Sequence, residues 1–267
     1  MLKLEEQNIV RFGPNIIRGN IYLSRMAKDY IEYNLDMGYT LGLSVNSIDT
    51  FAKERQDVLE KLDLFYLFFN NVNFGTVNLI DPTLYKGTAF GGLTWTVDGV
   101  QGNGVNGYIN TLFNTSLLVP NQKFQLNDAS RGANVVAEHG SETTGYVLDG
   151  SVSPLTNVMY LGLNVHKRLN NSISLSQEID FTGLGLKCLS RFDDNSLICV
   201  NKNIIDNINI VSNNLSTGIL IYRNNSLYGN SKINMYFVGG ALTYEETQLL
   251  RTSFNKLLKS NGLTESA

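Results

Sequence analysis

The sequence predicts a mainly β protein: an antiparallel β-sandwich of the jelly-roll type, with an N-terminal arm and helix before it and a helix at the C-terminal end. Three observations predict it. From Phe74 onwards, short β-prone segments recur at a spacing of about 8 to 12 residues, divided by clusters of Gly, Asn, Asp and Ser. Glycine is frequent, at 24 residues against 4 prolines, as in chains built on many tight turns. Helical periodicity is almost absent from that series until Thr243.

Length and charge narrow the class further. A chain of 267 residues accommodates one large β domain with an appendage more readily than two full domains. Its 43% hydrophobic fraction, with 13 Phe and 13 Tyr, supplies a core. The formal charge of -3 and a pI near 5.5 leave no basic face of the kind that phosphate neutralisation requires, so nucleic acid is not an expected partner.

Residues 1–26 are irregular, with turn signals at Gly13-Pro14 and Gly19-Asn20. They carry too little apolar surface for a core of their own and read as an arm that packs on this chain or a neighbour. A short helix is expected over 25–33 and a break over 38–43. The next helix, 48–64, has Asp49 or Thr50 as cap and places Phe51, Ala52, Val58, Leu59 and Leu62 on one face, which docks it on the sandwich. Residues 64–69 form a buried strand and Asn70-Asn71 a turn. The chain therefore divides into 1–70, for attachment and oligomerisation, and 71–267, the sandwich with its C-terminal helix.

Within the second part, strands are expected at 76–80, 93–97, 107–113, 123–126, 133–137, 144–148, 157–165, 172–175, 185–191, 196–200, 204–211, 218–223 and 233–238. Residues 218–223 and 226–228, joined by Asn224-Asn225, form the clearest hairpin, because Asn tolerates the left-handed backbone of a tight turn. Thr243 and Glu246 fit a capping box ahead of a final helix. Leu249, Leu250, Phe254, Leu257 and Leu258 form its apolar stripe, and Gly262 can end it.

Cys188 and Cys199 stand on successive strands and read as two buried free thiols. Acidic residues occupy the place where a signal peptide carries its apolar stretch, and the longest apolar run, 64–69, is too short to span a bilayer. Synthesis in the cytoplasm and no membrane partner are expected.

GVQGNGVNGYINTLFN, then ILIYRNNSLY, then MYFVGGALTYEETQLL leading into the last helix occur in that order. Together they resemble the laminin-G-like, concanavalin A-like jelly-roll domains of virion structural proteins in tailed phages, especially the crAss-like phages of Bacteroidetes. The preceding DLFYLFFNN and NLIDPTLYKGTAF are similar to the region ahead of such domains. The resemblance covers about residues 57–261. It implies a lectin-like sandwich on a capsid or tail, as a decoration or fibre-type protein, and it implies no chemistry. A virion location, homo-oligomers, contacts with other virion proteins through the N-terminal arm, and contact with a host surface glycan are the corresponding expectations.

A glycan site needs an aromatic platform with polar groups beside it, and Trp95, Asp98, Asn103 and Tyr108 are the candidates. The alternation of Trp95 with threonines equally fits a core position. Asp193 and Asp194, with Asn195, offer oxygen ligands in a loop, and some laminin-G-like domains hold calcium at a rim loop. An ordinary turn is the plainer reading of those residues. His139 and His166 show no metal-ligand spacing.

Glu178-Ile179-Asp180-Phe181 resembles the start of the catalytic strand motif in family-16 glycoside hydrolases, which share the sandwich. A retaining glycosidase needs a second carboxyl group about 5 Å away as acid/base, and Thr182 stands where that Glu would be. A non-enzymatic virion protein is therefore expected. The alternatives are a carbohydrate-active enzyme of the family-16 type and a free carbohydrate-binding module on the same fold.

Overall fold

Two stretches of this chain, 64–69 and 235–238, are apolar without alternation, because they belong to a sheet whose two faces are both covered. The computed structural model describes residues 11–12, 15–16, 23–117, 119–138, 146–151, 157–161, 167–171, 181–201 and 204–265. Strands β1 (Arg11–Phe12) and β2 (Asn15–Ile16) pair at the N-terminal end. They are followed by α1 (Arg25–Asp36), α2 (Val45–Glu54), α3 (Gln56–Leu59), β3 (Leu62–Leu67) and α4 (Val72–Gly75). Then come β4 (Thr88–Phe90), β5 (Thr94–Thr96), β6 (Gly99–Gln101), β7 (Tyr108–Asn110), β8 (Ala129–Ala137), β9 (Tyr146–Ser151), β10 (Val158–Leu161) and β11 (Lys167–Arg168). The chain continues with β12 (Gly185–Arg191), β13 (Ser196–Asn201), β14 (Ile204–Asn209), β15 (Ile219–Ile221), β16 (Arg223–Asn224), β17 (Leu227–Tyr228) and β18 (Lys232–Gly239). Helix α5 (Tyr244–Ser260) closes it.

Two antiparallel sheets face each other. One has six strands in the order β11-β10-β9-β15-β7-β4; the other has eight, β14-β13-β12-β8-β18-β6-β5, with β3 also paired to β18. The core between them takes Tyr66, Val100, Val135, Leu189 and Tyr236 from the larger sheet and Ile109, Leu148, Met159, Ile219 and Ile221 from the smaller. A second core lies on the other face of the larger sheet. There Phe65, Leu67, Phe237 and Cys188 meet Tyr30 and Ile31 of α1, Ile48 and Phe51 of α2, and Leu250, Phe254 and Leu257 of α5. The molecule thus has three layers, helices on sheet on sheet. In β3 and just beyond it, residues 65, 67 and 69 face the helices while 64, 66 and 68 face the other sheet.

The α5 capping box forms as expected, with Thr243 accepting from the Glu246 N–H and Glu246 accepting from the Thr243 N–H. Gly262 follows with φ +71°. Several expectations are corrected. The helix expected over 48–64 is broken at Arg55, whose backbone leaves helical geometry, and the chain is already a strand at Leu62. Alternating burial on two apolar faces outweighs helix propensity there.

Residues 76–80 are not a strand. Instead, buried Asn78 closes the free edge of β3, its Oδ1 accepting from Phe65 N at 2.9 Å and its Nδ2 donating to Asp63 O at 2.9 Å. Residues 123–126 are also not a strand, because the Asp63 carboxylate accepts the Lys123 and Phe124 N–H groups at 2.8 Å each. The expected hairpin shifts by one residue, pairing Arg223–Asn224 with Leu227–Tyr228 around Asn225 at φ +54°. Strand β8 starts earlier than expected, at Ala129. The strand expected at 172–175 lies outside the described residues. β3 lies before the division drawn at residue 70, so the sheet reaches back across it.

Cys188 and Cys199 are both free and buried. Cys188 belongs to the helix-facing core and Cys199 to the intersheet core, so the sheet itself separates them. Burial pushes the Cys188 thiol up to about 12, which keeps it protonated and unreactive.

Candidate functional site

The outer face of the six-stranded sheet carries an aromatic strip. Register sets its first two members: Phe90 on β4 pairs directly with Tyr108 on β7, and their rings stack at 4.8 Å with an 11° interplanar angle. The other two arrive by a fold-over. After β15 the chain turns at Tyr222, at φ +65°, and lays the β16–β17 hairpin on β9. The Tyr222 side chain anchors this turn, its hydroxyl donating to Val100 O at 2.7 Å and accepting from Ile233 N at 3.2 Å. Gly150 makes the approach possible, since a Cβ there would come within 2.6 Å of Arg223 O.

The hairpin thereby sets Arg223 beside Tyr108, guanidinium carbon to ring centroid 4.7 Å, and beside Tyr228 at 5.6 Å. Tyr228 in turn lies 6.3 Å from Tyr108, centroid to centroid. Phe90 is 43% exposed although Tyr108 covers one of its faces, so a ring face is open to solvent at the sheet edge. Leu227 beside the strip is also exposed. Flat rings flanked by polar groups can stack against the C–H faces of sugar rings, with hydrogen bonds supplied from the side.

Of the four sequence candidates, the strip contains Tyr108 alone. Trp95 is half-buried at the edge of the larger sheet, packed edge-on against Phe68 at 5.9 Å. Asp98 lies in the β5–β6 turn, where it accepts from Thr96 Oγ1 at 2.5 Å and from Lys232 Nζ at 3.2 Å. Partial burial pushes its carboxyl up, but these two donors outweigh burial and hold it below the usual range. Asn103 organises the loop ahead of β7, its Oδ1 accepting from the N–H groups of Val105 (3.0 Å), Asn106 (3.0 Å) and Gly107 (2.8 Å). That loop positions Tyr108, so Asn103 acts one step away from the strip.

Asp193 Oδ1 accepts from Asn195 N at 2.8 Å and from Ser196 N at 2.7 Å, and these bonds hold its carboxyl below the usual range. Asp194 accepts from the Asn195 side chain. Both aspartates build the β12–β13 turn. Among the described residues no group of three or more His, Cys, Asp or Glu could hold a metal ion. His139, His166, Glu178 and Asp180 lie outside the described residues; Thr182 is described, and its carbonyl accepts from Lys187 Nζ at 2.8 Å. No helix among the described residues is long and apolar enough to cross a membrane.

A groove of about 550 Å³ between α1 and residues 80–83 is lined by Asp29, Glu32, Asp36, Glu60 and Asp81. Two of these carboxylates pair with neighbouring cations, Arg25–Asp29 and Lys28–Glu32, and Tyr33 is the single aromatic residue in the lining. It lacks the stacked rings that set the strip apart.

Fold and strip define an antiparallel β-sandwich with an aromatic outer face. No protein-family model matches the chain, and no curated protein matches it. Solved structures share the fold. A mutant of Trypanosoma rangeli sialidase displaying trans-sialidase activity superposes with a TM-score of 0.55 at 12% identity, over 82% of this chain and 39% of that one. Trypanosoma rangeli sialidase in complex with sialic acid gives 0.53 at 12% identity, over 77% and 38%. The binding domain of botulinum neurotoxin DC in complex with SialylT gives 0.51 at 13% identity, over 73% and 52%. The chain therefore spans about two-fifths to a half of the length of these structures, and at such identity the likeness is one of fold.

Proposed function

We propose that this protein is a non-enzymatic, lectin-like virion component of a tailed phage, attached through its N-terminal segment and contacting a host surface glycan through Phe90, Tyr108, Arg223 and Tyr228. The observation that carries the glycan half is the row of partly exposed rings on the outer face of a sandwich, Phe90 stacked on Tyr108 and Tyr228 tilted beside it. Support comes from the neighbouring folds, whose structures include complexes with sialic acid and SialylT. The virion half rests on the order of the sequence motifs that resemble phage laminin-G-like domains.

Two measurements test the halves. In a glycan array followed by titration calorimetry, the protein binds a saccharide and Tyr108→Ala weakens it by about 1–3 kcal/mol with the fold intact, in keeping with removal of one stacking ring. Unchanged affinity in that variant would place the site elsewhere. In particles carrying a labelled copy, the label co-sediments with the virion and is lost when residues 1–22 are removed; incorporation of the truncated chain would sink the attachment role.

A further inference from the structure

We infer that the strip selects an acidic saccharide, one bearing a carboxylate or sulfate on the sugar unit that lies beside Arg223; this rests on the glycan reading above. The argument starts from Arg223. Among the described residues its hydrogen bonding is confined to Nε, which donates to Asn225 O at 3.1 Å, so the N–H groups of both terminal nitrogens are left for a ligand. A guanidinium packed against two tyrosine rings is restricted in its motion, which lowers the entropy cost of presenting its fork to an oxyanion.

Among the described residues no carboxylate forms an ion pair with Arg223. The hairpin and the loop ahead of β7 contribute Asn224, Asn225, Ser226, Asn103 and Asn106, all neutral. The chain as a whole carries a formal charge of -3, so attraction of an anion depends on this local cation and not on the overall field. A neutral sugar would use the rings and leave the terminal N–H groups to water. An acidic one would use both.

Matched pairs of probes test the inference: oligogalacturonate against its methyl ester for the carboxylate, and a carrageenan oligosaccharide against its desulfated form for the sulfate, titrated alongside the array. Within at least one pair the charged member binds about tenfold more tightly, a preference that fades with added salt. Arg223→Gln abolishes the ratio between charged and neutral members, whereas Tyr108→Ala weakens both members and keeps the ratio. Circular dichroism checks that each variant is folded. Equal affinities within both pairs, or a preference that survives Arg223→Gln, overturn this inference and leave the glycan reading standing. Binding to no probe and no array member overturns the glycan reading and this inference with it.

Discussion

Asp149 shows what single residues do in this fold. Its carboxylate accepts from Arg131 Nη2 and from the Tyr236 hydroxyl, the latter at 2.5 Å, and all three side chains are buried. Arg131 and Tyr236 belong to the larger sheet and Asp149 to the smaller, so the group joins the two layers across the apolar core. Burial pushes the Asp149 carboxyl up against the pull of the guanidinium, and pushes the Tyr236 hydroxyl well above its ordinary value. Removing one charge is therefore far worse than removing both. Asp149→Asn is expected to cost about 3–5 kcal/mol in urea unfolding, while Arg131→Met combined with Asp149→Leu stays close to the parent. A loss under about 1 kcal/mol in the single variant would show that the pair contributes little. None of this was legible in the sequence. The strand expected at 133–137 does not reach Arg131, an Arg is seldom buried, and its partner lies 18 residues on, in the other sheet.

Elements were legible where a local rule decides them, and illegible where a distant partner does. The α5 cap, the 185–191 strand and a strand around Trp95 follow from short-range pattern, and the structure has them all. Tyr108 could be singled out because it stands in such a pattern. Its companions could not, since Phe90 reaches it through strand register and Arg223 through the Tyr222 turn. The helices depend on a further pairing that sequence does not announce. Glu54 at the end of α2 accepts from Ser253 at 2.9 Å and from Lys256 at 3.1 Å on α5. The hydrogen bond from Lys256, then that from Ser253, hold its carboxyl below the usual range. A carboxyl depressed in the folded state adds stability above its unfolded value, near 4.3, and that stability is lost as pH falls through the folded value. Both partners are partly exposed, so the effect is small, about 0.3–1 kcal/mol. Melting curves between about pH 5 and about pH 3 should therefore show a slightly shallower decline for Glu54→Gln than for the parent. Parallel declines would mean that the contact does not persist in solution.

For the whole molecule, the decisive fact is that the larger sheet is apolar on both faces. The sequence located the C-terminal helix and many of the strands, and a division at residue 70 followed from the change of character beyond Phe74. In the structure that line separates parts of one core. Phe51 of α2 packs on Phe65 of β3 at 5.5 Å and on Phe254 of α5 at 6.2 Å, and Phe65 stacks on Phe237 of β18 at 6.4 Å. A chain beginning at Val72 would lose α1, α2, α3 and β3 together. Phe237, Met235 and Leu250 would lose the part of their cover that α1, α2 and β3 supply, and the backbone of β18 would lose its β3 partner from Met235 to Gly239, keeping β8 alone. At about 1.5–3 kcal/mol for each large apolar side chain uncovered, a few such residues amount to much of the 5–15 kcal/mol that holds an ordinary domain together. The fragment 72–267 is therefore expected to be insoluble or to unfold without a cooperative transition, whereas the full chain melts as a single unit. A soluble fragment with a sharp calorimetric transition would show instead that the sandwich is autonomous and that the helical layer is an attachment device alone.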